Sequence, residues 1–354
     1  MTRIVVVLSY PTYHSVADPA EWLRWDNRDR RMPALLSAMG ADVELWGVAR
    51  EAAEHVSPAG VGAPYRIRLF AQDGGGAKSR DHWSDAMVAA AKADPADLFV
   101  MIGSNGGAGY RLFDRVLEPD RRRFAVVIGG DYWSRLVPRA QLVLTECAMQ
   151  ETRLVNPAPR FWRRAIDPAR IERLPKSIDT GLFAPLSAIA RWDVLSVSRL
   201  TRYKSFTEVG TLAVDHRVAV AGGGPDHATL AARYPEIEWL GHQRNADVPT
   251  LLAASQLFFH AGRRDWFPRA IVEAMACARP VVAFADRIGA DVLPADCGLR
   301  VTERSYRRDV AALLADPARL AAMGAAARAH AVATHGLTSS EPACRRLLAL
   351  AEVA

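Results

Sequence analysis

Short apolar runs recur along this chain with helical stretches between them, and that alternation limits the available folds more than any other feature. In the first half the runs are Ile4–Leu8, Val43–Trp46, Arg66–Phe70, Leu98–Ile102, Ala125–Ile128 and Leu142–Thr145. In the second they are Val194–Val197, Arg217–Ala221, Ile237–Leu240, Leu257–His260 and Val281–Phe284. Strands that alternate with helices imply a parallel, doubly wound sheet. A turn-rich passage, Ile178 to Pro185, separates the two sets. The expectation is therefore an α/β chain with a domain over 1–185, a second over 190–336, and a boundary near 184–190. A length of 354 residues gives room for both. In such sheets ligands sit at the carboxyl ends of the strands, so the loops after the strands are where chemistry is expected.

Composition excludes several classes. No apolar run reaches the ~18 residues of a membrane span. The opening Met1 to Leu8 runs into Ser9-Tyr10-Pro11 with no small-residue cleavage site, and reads as a first strand. Cys147, Cys277, Cys297 and Cys344 form no C-x-x-C pair, which favours reduced thiols, a cytoplasmic location and no zinc site. The net charge of +6 suits an anionic ligand or a membrane surface, although no membrane contact is indicated. The basic clusters Arg121-Arg122-Arg123 and Arg160 to Arg164 read as solvated surface, with no nucleic-acid partner expected.

In the first half the strand-end loops are Ser9 to His14, Gly103 to Gly107 and Gly129 to Trp133. His14 is either a base or hydroxyl partner, or a surface histidine. Gly103 to Gly109 is either a backbone cradle for an anion or a flexible turn. EWLRWDNRDRR, residues 21–31, is either an aromatic sugar-binding wall or an amphipathic helix with core tryptophans. Asp131 is either a ligand carboxylate behind two glycines or the cap of the following helix.

The second half carries sharper signals. RRDWFPRAIVEAMACARPVVA, residues 263–283, reads as loop, helix, turn and strand. Pro268 suits the first helical turn, and Pro280 suits the break. Ala270, Ile271, Ala274 and Met275 make an apolar face. Glu273 lies two turns in, either facing a crevice and accepting from a ligand hydroxyl, or solvated. Arg199 and Lys204 follow a strand directly, and Lys204 is one of only four lysines in the chain. Two fixed cations beside a helix start suit a diphosphate. Gly222-Gly223-Gly224-Pro225 is either a phosphate loop or a tight strand-to-helix turn.

Taken together, these residues resemble the retaining family-four glycosyltransferases of the GT-B fold, over about residues 174–336. Four blocks stand in the family's order: LPKSIDTGLFAP, VSRLTRYKSF, IEWLGHQRNADVPTLLAASQLFFH and DWFPRAIVEAMACARPVVA. The last resembles the E-x7-E block, with Asp265 and Glu273 as its acids. The resemblance implies two Rossmann-like domains facing a cleft and a hexosyltransferase-type, retaining, metal-independent enzyme. It would use no cofactor beyond the nucleotide diphosphate sugar that it consumes, with a UDP-sugar favoured and a GDP-sugar also admitted. Arg199 and Lys204 would hold the diphosphate, Glu273 the ribose, and Asp265 the donor sugar. Gly241 and His242 would meet the base, and the backbone at Trp266, Phe267 and Pro268 the sugar. The acceptor, a hydroxyl of a small molecule, glycan or lipid, would bind Tyr13, His14, Asn105 and Asp131. The helix in 337–354 would cross back to the N-terminal domain.

The chain departs from the family in several places. Asp265 stands for Glu, a reach shorter by about 1.5 Å. Ala278-Arg279 precedes the proline where Gly-x is usual, and residues 286–291 replace a Gly-Gly-x-Pro-Glu loop. In the first half the Gly-Gly after the first strand is absent, and Gly130-Asp131 stands for a histidine. These departures keep two alternatives: a GT-B nucleotide-sugar epimerase or hydrolase, and a non-catalytic GT-B partner subunit.

Overall fold

The computed structural model describes residues 1–352 except 15–17, 25, 26, 59–61, 130–132, 160–162, 202, 203, 263 and 264, and only the backbone of His14 and Arg28. The chain divides into two compact units. The first comprises Met1–Glu146, Gln150–Ser177 and Leu337–Ala354, and the second Cys147–Met149 and Ile178–Gly336.

Among the described residues the first unit is built on β1 (Arg3–Leu8), β2 (Asp42–Ala49), β3 (Ala53–Val56), β4 (Arg66–Ala71), β5 (Leu98–Ile102), β6 (Phe124–Val127), β7 (Leu142–Thr145) and β8 (Ile171–Arg173). Their order is β3-β4-β2-β1-β5-β6-β7-β8, parallel except for the antiparallel edge pair β3–β4. The central β1 is buried on both faces. Ile4, Val6 and Leu8 pack on one side with Met32 and Leu36, and Val5 and Val7 on the other with Phe99 and Phe113. That two-sided burial is why its sequence is continuously apolar.

The second unit is built on β9 (Trp192–Val197), β10 (Val218–Ala221), β11 (Glu238–Gly241), β12 (Ser255–His260), β13 (Val281–Phe284) and β14 (Gly298–Val301). The order is β11-β10-β9-β12-β13-β14, with every pairing parallel. The winding reverses between β9 and β12, which makes the ends of those two strands the topological switch point.

Three strands were not expected. β3, β8 and β14 read AEHV, IER and GLRV, and all three lie at sheet edges. An edge strand needs no continuous apolar run, because one flank and often one face meet solvent. The change of unit also falls earlier than the expected 184–190. Ile178 and Phe183 are buried in the second unit's core. Arg328 Nη1 donates to the carbonyls of Thr180, Phe183 and Ala276 at 2.8–3.0 Å, tying that passage to the second unit. The closing helix, Glu341–Glu352, packs in the first unit, with Ala343, Cys344, Leu347 and Ala351 in the same core as Met32 and Leu36.

Candidate active site

The loops after β9 and β12 meet at the switch point. Lys204 Nζ donates to Asp265 Oδ2 across 61 residues of chain, with both side chains partly exposed. Lys204 is set by a turn in which its amide donates to Thr201 O at 2.9 Å. Ser205 then takes a left-handed φ of 52° just before the helix Phe206–Leu212. Arg199, in the same loop, is exposed.

Three adjacent strand-end loops are laced together. The Leu200 amide donates to Gly223 O at 2.9 Å, and the Gly222 amide to Gly241 O at 2.8 Å. A Cβ at Gly222 would stand 1.8 Å from Ser198 O, and one at Gly224 2.3 Å from Leu200 O. The run Gly222–Gly224 therefore lets the β10 loop lie directly on the loop that carries Arg199. Gly241 turns the chain at a φ of +67°, and His242 beyond it is exposed.

Glu273 is not on a solvated face. It is 4% exposed, on the helix Arg269–Ala276. Its Oε1 accepts from Arg269 Nε at 2.7 Å and from Asn245 Nδ2 at 3.2 Å. A buried carboxylate is tolerated only with such donors. Ile271, Ala274 and Met275 fill the core beneath it. Pro268 is the residue before the helix rather than its first turn, with φ −68° and ψ 128°. The helix also ends well before Pro280. Arg279 N donates to Ala274 O and Ala278 N to Met275 O, both at 2.9 Å, while Ala278 takes a φ of 55°. This is a Schellman ending with alanine in the position that glycine usually fills. The side chains of Trp266 and Phe267 are buried in the core, and Phe267 packs edge-on to His335. Only their backbone is left for a ligand.

His260 ends β12 and is 4% exposed. Its Nε2 lies 3.6 Å from Asp265 Oδ2 and has no hydrogen-bond partner among the described residues. Burial pushes its pKa down to about 4, with Lys204 and Arg287 adding to the effect and Asp265 opposing it. A Cβ at Gly262 would stand 2.7 Å from His260 Nε2 and 2.9 Å from Asp265 Oδ2, so glycine is what leaves room for both. Arg287, 8% exposed, braces the loop from behind by donating to Ala261 O at 2.7 Å and to Glu303 Oε1 at 2.9 Å.

His260, Asn245, Arg269 and Gly262 were not singled out from the sequence. Arg269 and Glu273 do stand at i and i+4, and His260 does end an apolar strand. The four cysteines are buried and form no disulfide among the described residues, and burial pushes the thiols of Cys277, Cys297 and Cys344 up to about 12. Among the described residues no group of three or more His, Cys, Asp or Glu side chains stands together as a cation site.

Of the expected acceptor residues in the first unit, the side chains of Tyr13 and Asn105 lie among the described residues. Tyr13 Oη bonds Gln72 Oε1 and His82 Nδ1, under the Arg50 guanidinium, and burial raises its pKa. Asn105 lies in the loop after β5, next to Ser104, whose Oγ is buried with no partner among the described residues. The His14 side chain and Asp131 lie outside the described residues. Gly103 to Gly109 runs into the helix Gly107–Leu112. A Cβ at Gly106 would stand 1.7 Å from Ser9 O, and one at Gly107 2.4 Å from His82 O, so these glycines serve close chain packing. Trp22 is buried in the core with Arg30 stacked 3.9 Å over its ring, which removes it from an aromatic wall; Trp25 and Asp26 lie outside the described residues.

A family model described as "Glycosyl transferases group 1" matches residues 195–320, the stretch that holds the Lys204–Asp265 pair and Glu273. Sucrose-phosphate synthase from Thermosynechococcus elongatus superposes with a TM-score of 0.75 at 16% identity, over 99% of this chain and 100% of that one. Anabaena HepE in complex with UDP does so with a TM-score of 0.67, also at 16% identity, over 99% and 100%. The chain has the GT-B fold.

Two curated relatives of this GT-B protein are similar over shorter stretches. One, from Arabidopsis thaliana, is a component of phosphatidylinositol N-acetylglucosaminyltransferase, 28% identical over 152 residues, 38% of this chain and 34% of the relative. The other, a GDP-mannose-dependent alpha-mannosyltransferase of Mycolicibacterium smegmatis, is 29% identical over 157 residues, 43% and 41% respectively. The chain thus spans about a third to two-fifths of the length of these relatives. Among the described residues no single helix is long and apolar enough to cross a membrane.

Proposed function

We propose that this protein is a retaining glycosyltransferase that moves a sugar from a nucleotide diphosphate sugar to an acceptor hydroxyl. The observation that carries the reading is the Lys204–Asp265 pair at the switch point between β9 and β12. That is where doubly wound sheets bind ligands. In this reading Arg199 and Lys204 take up the negative charge that grows on the departing diphosphate. Fixed cations stabilise such a charge without reorganising at the moment of reaction. Glu273 accepts from the ribose hydroxyls, held ready by Arg269 and Asn245. The turn at Gly241 and His242 borders the base, and the backbone at Trp266 to Pro268 borders the sugar. Asp265 shares Oδ2 with Lys204 and offers its other oxygen to a donor-sugar hydroxyl.

The donor is a UDP-sugar or a GDP-sugar. HepE, with the same fold, is seen with UDP, whereas the similar mycobacterial protein is named for GDP-mannose. Tyr13, His14, Asn105 and Asp131 remain the proposed acceptor contacts. The reading includes no metal, no further cofactor and a cytoplasmic location. Nucleotide release from UDP- and GDP-sugars, measured with and without candidate acceptors, tests it. Acceptor-dependent release is expected. Release that ignores every acceptor would mark a hydrolase, and interconversion of the donor sugar an epimerase. No release from a protein that still binds nucleotide would mark a non-catalytic partner.

A further inference from the structure

His260 has no place in the roles assigned above, yet its surroundings are specific. It is a buried polar side chain at the end of a central strand. Among the described residues its Nε2 has no hydrogen-bond partner, and it is aimed at the one carboxylate oxygen that also takes Lys204. At 3.6 Å the contact falls a few tenths of an ångström short of a hydrogen bond. Gly262 keeps the space between the two groups open, and Arg287 fixes the backbone at Ala261 from behind. Among the described residues the charged groups facing the imidazole are Asp265, Lys204 and Arg287.

We propose that His260 is a positioning residue for the Lys204–Asp265 pair. An uncharged imidazole carrying its proton on Nε2 donates to Asp265 Oδ2. This fixes the rotation of the carboxylate and holds Lys204 at the strand end. The imidazole has to be neutral for this. A charged one would compete with Lys204 for the same oxygen, whereas a neutral donor shares it. Burial keeps the ring neutral across the ordinary working range, because it pushes the pKa down to about 4. The inference deepens the transferase reading, since the ammonium held in place is the one assigned to the diphosphate.

The composition of the chain supplies a test that needs no turnover. Lys78, Lys92, Lys176 and Lys204 are its only lysines, so mass spectrometry resolves the acetylation rate of each. In the full-length protein Lys204 is expected to react slowly. Asp265→Ala removes its partner and is expected to raise the Lys204 rate at least about fivefold. His260→Ala is expected to give most of that rise, and His260→Gln, which keeps an amide donor, about the wild-type rate. In all three the rates at Lys78, Lys92 and Lys176 should hold within about twofold, which separates loss of positioning from loss of fold. Should His260→Ala fail to fold, His260→Asn, too short to reach Oδ2, takes its place. An unchanged Lys204 rate in the short variants overturns the proposal, as does an equal rise in His260→Gln. In turnover, kcat should fall about tenfold in His260→Ala while the dissociation constants for UDP and GDP stay within about twofold. A wild type that binds these nucleotides but releases none from any sugar donor overturns the transferase reading, and the labelling still decides the role of His260.

Discussion

The burial of His260 makes a quantitative prediction about acid stability. In the unfolded chain the imidazole titrates near 6.5, and in the folded protein near 4. Between these values the unfolded state binds a proton that the folded state does not, so stability must fall as the pH drops. The contribution is fully present above about pH 6.5 and is lost progressively toward pH 4. Each decade of proton affinity is worth about 1.4 kcal/mol, so the whole shift amounts to about 3 kcal/mol. Asp265 acts against the depression, and Lys204 and Arg287 act with it. The perturbation is His260→Asn, which removes the titrating group but keeps a polar side chain. The assay is urea unfolding of wild type and variant, at intervals from about pH 8 to about pH 4.5, followed by tryptophan fluorescence. The variant is expected to be less stable near neutrality and to lose about 2–3 kcal/mol less than wild type across the window. The comparison is a difference of differences, so the carboxylates common to both proteins cancel. Parallel stability curves would refute the reasoning.

Arg199→Ala and Lys204→Ala should each lower turnover about a hundredfold or more, by analogy with a lost oxyanion donor worth ~2.7–4 kcal/mol, with little loss of fold; steady-state rates and melting curves check this, and rates within twofold of wild type would remove the clamp. Glu273→Gln should weaken UDP or GDP binding about tenfold, or ~1.4 kcal/mol, because a neutral amide is a weaker acceptor and its donors Arg269 and Asn245 lose a charge; calorimetry decides it, and equal affinities would leave Glu273 a structural partner of Arg269. Ala278→Gly should stabilise the protein, since a left-handed alanine costs ~1–2 kcal/mol and the freer unfolded glycine gives back ~0.4–1. A lower urea midpoint for that variant would mean that Ala278 is not strained.

How much of this was legible in the sequence depended on how each element is buried. β1 and β12 lie in the interior of their sheets, so RIVVVL and SQLFFH announce themselves as apolar runs. β3, β8 and β14 lie at edges and show no such run. Arg199, Lys204, Asp265 and Glu273 were legible as charges in strand-end loops or in an otherwise apolar helix. The pairing of Lys204 with Asp265 was not, because it depends on two loops that only the strand order brings together. The glycine runs left two readings open for a related reason. Glycine records that a backbone passes close by, and at Gly106 and Gly222 what passes is the protein's own chain. His260 was hidden within a strand, where a lone histidine looks like one more core residue. The boundary slipped because Ile178 and Phe183 belong to the second unit's core, although the turn-rich residues around them look like a linker.

The central claim is that the switch point between β9 and β12 binds a nucleoside diphosphate through the cations of the first loop. Titration of UDP and of GDP into wild type and into Lys204→Ala, followed by the shift in unfolding free energy, tests it most directly. At ~100 times the dissociation constant, the preferred nucleotide should stabilise wild type by about 2.7 kcal/mol. The same concentration should stabilise Lys204→Ala by about 1.4 kcal/mol or less, if binding is weakened tenfold or more. Equal stabilisation of the two proteins, or no stabilisation of wild type by either nucleotide, would contradict the account.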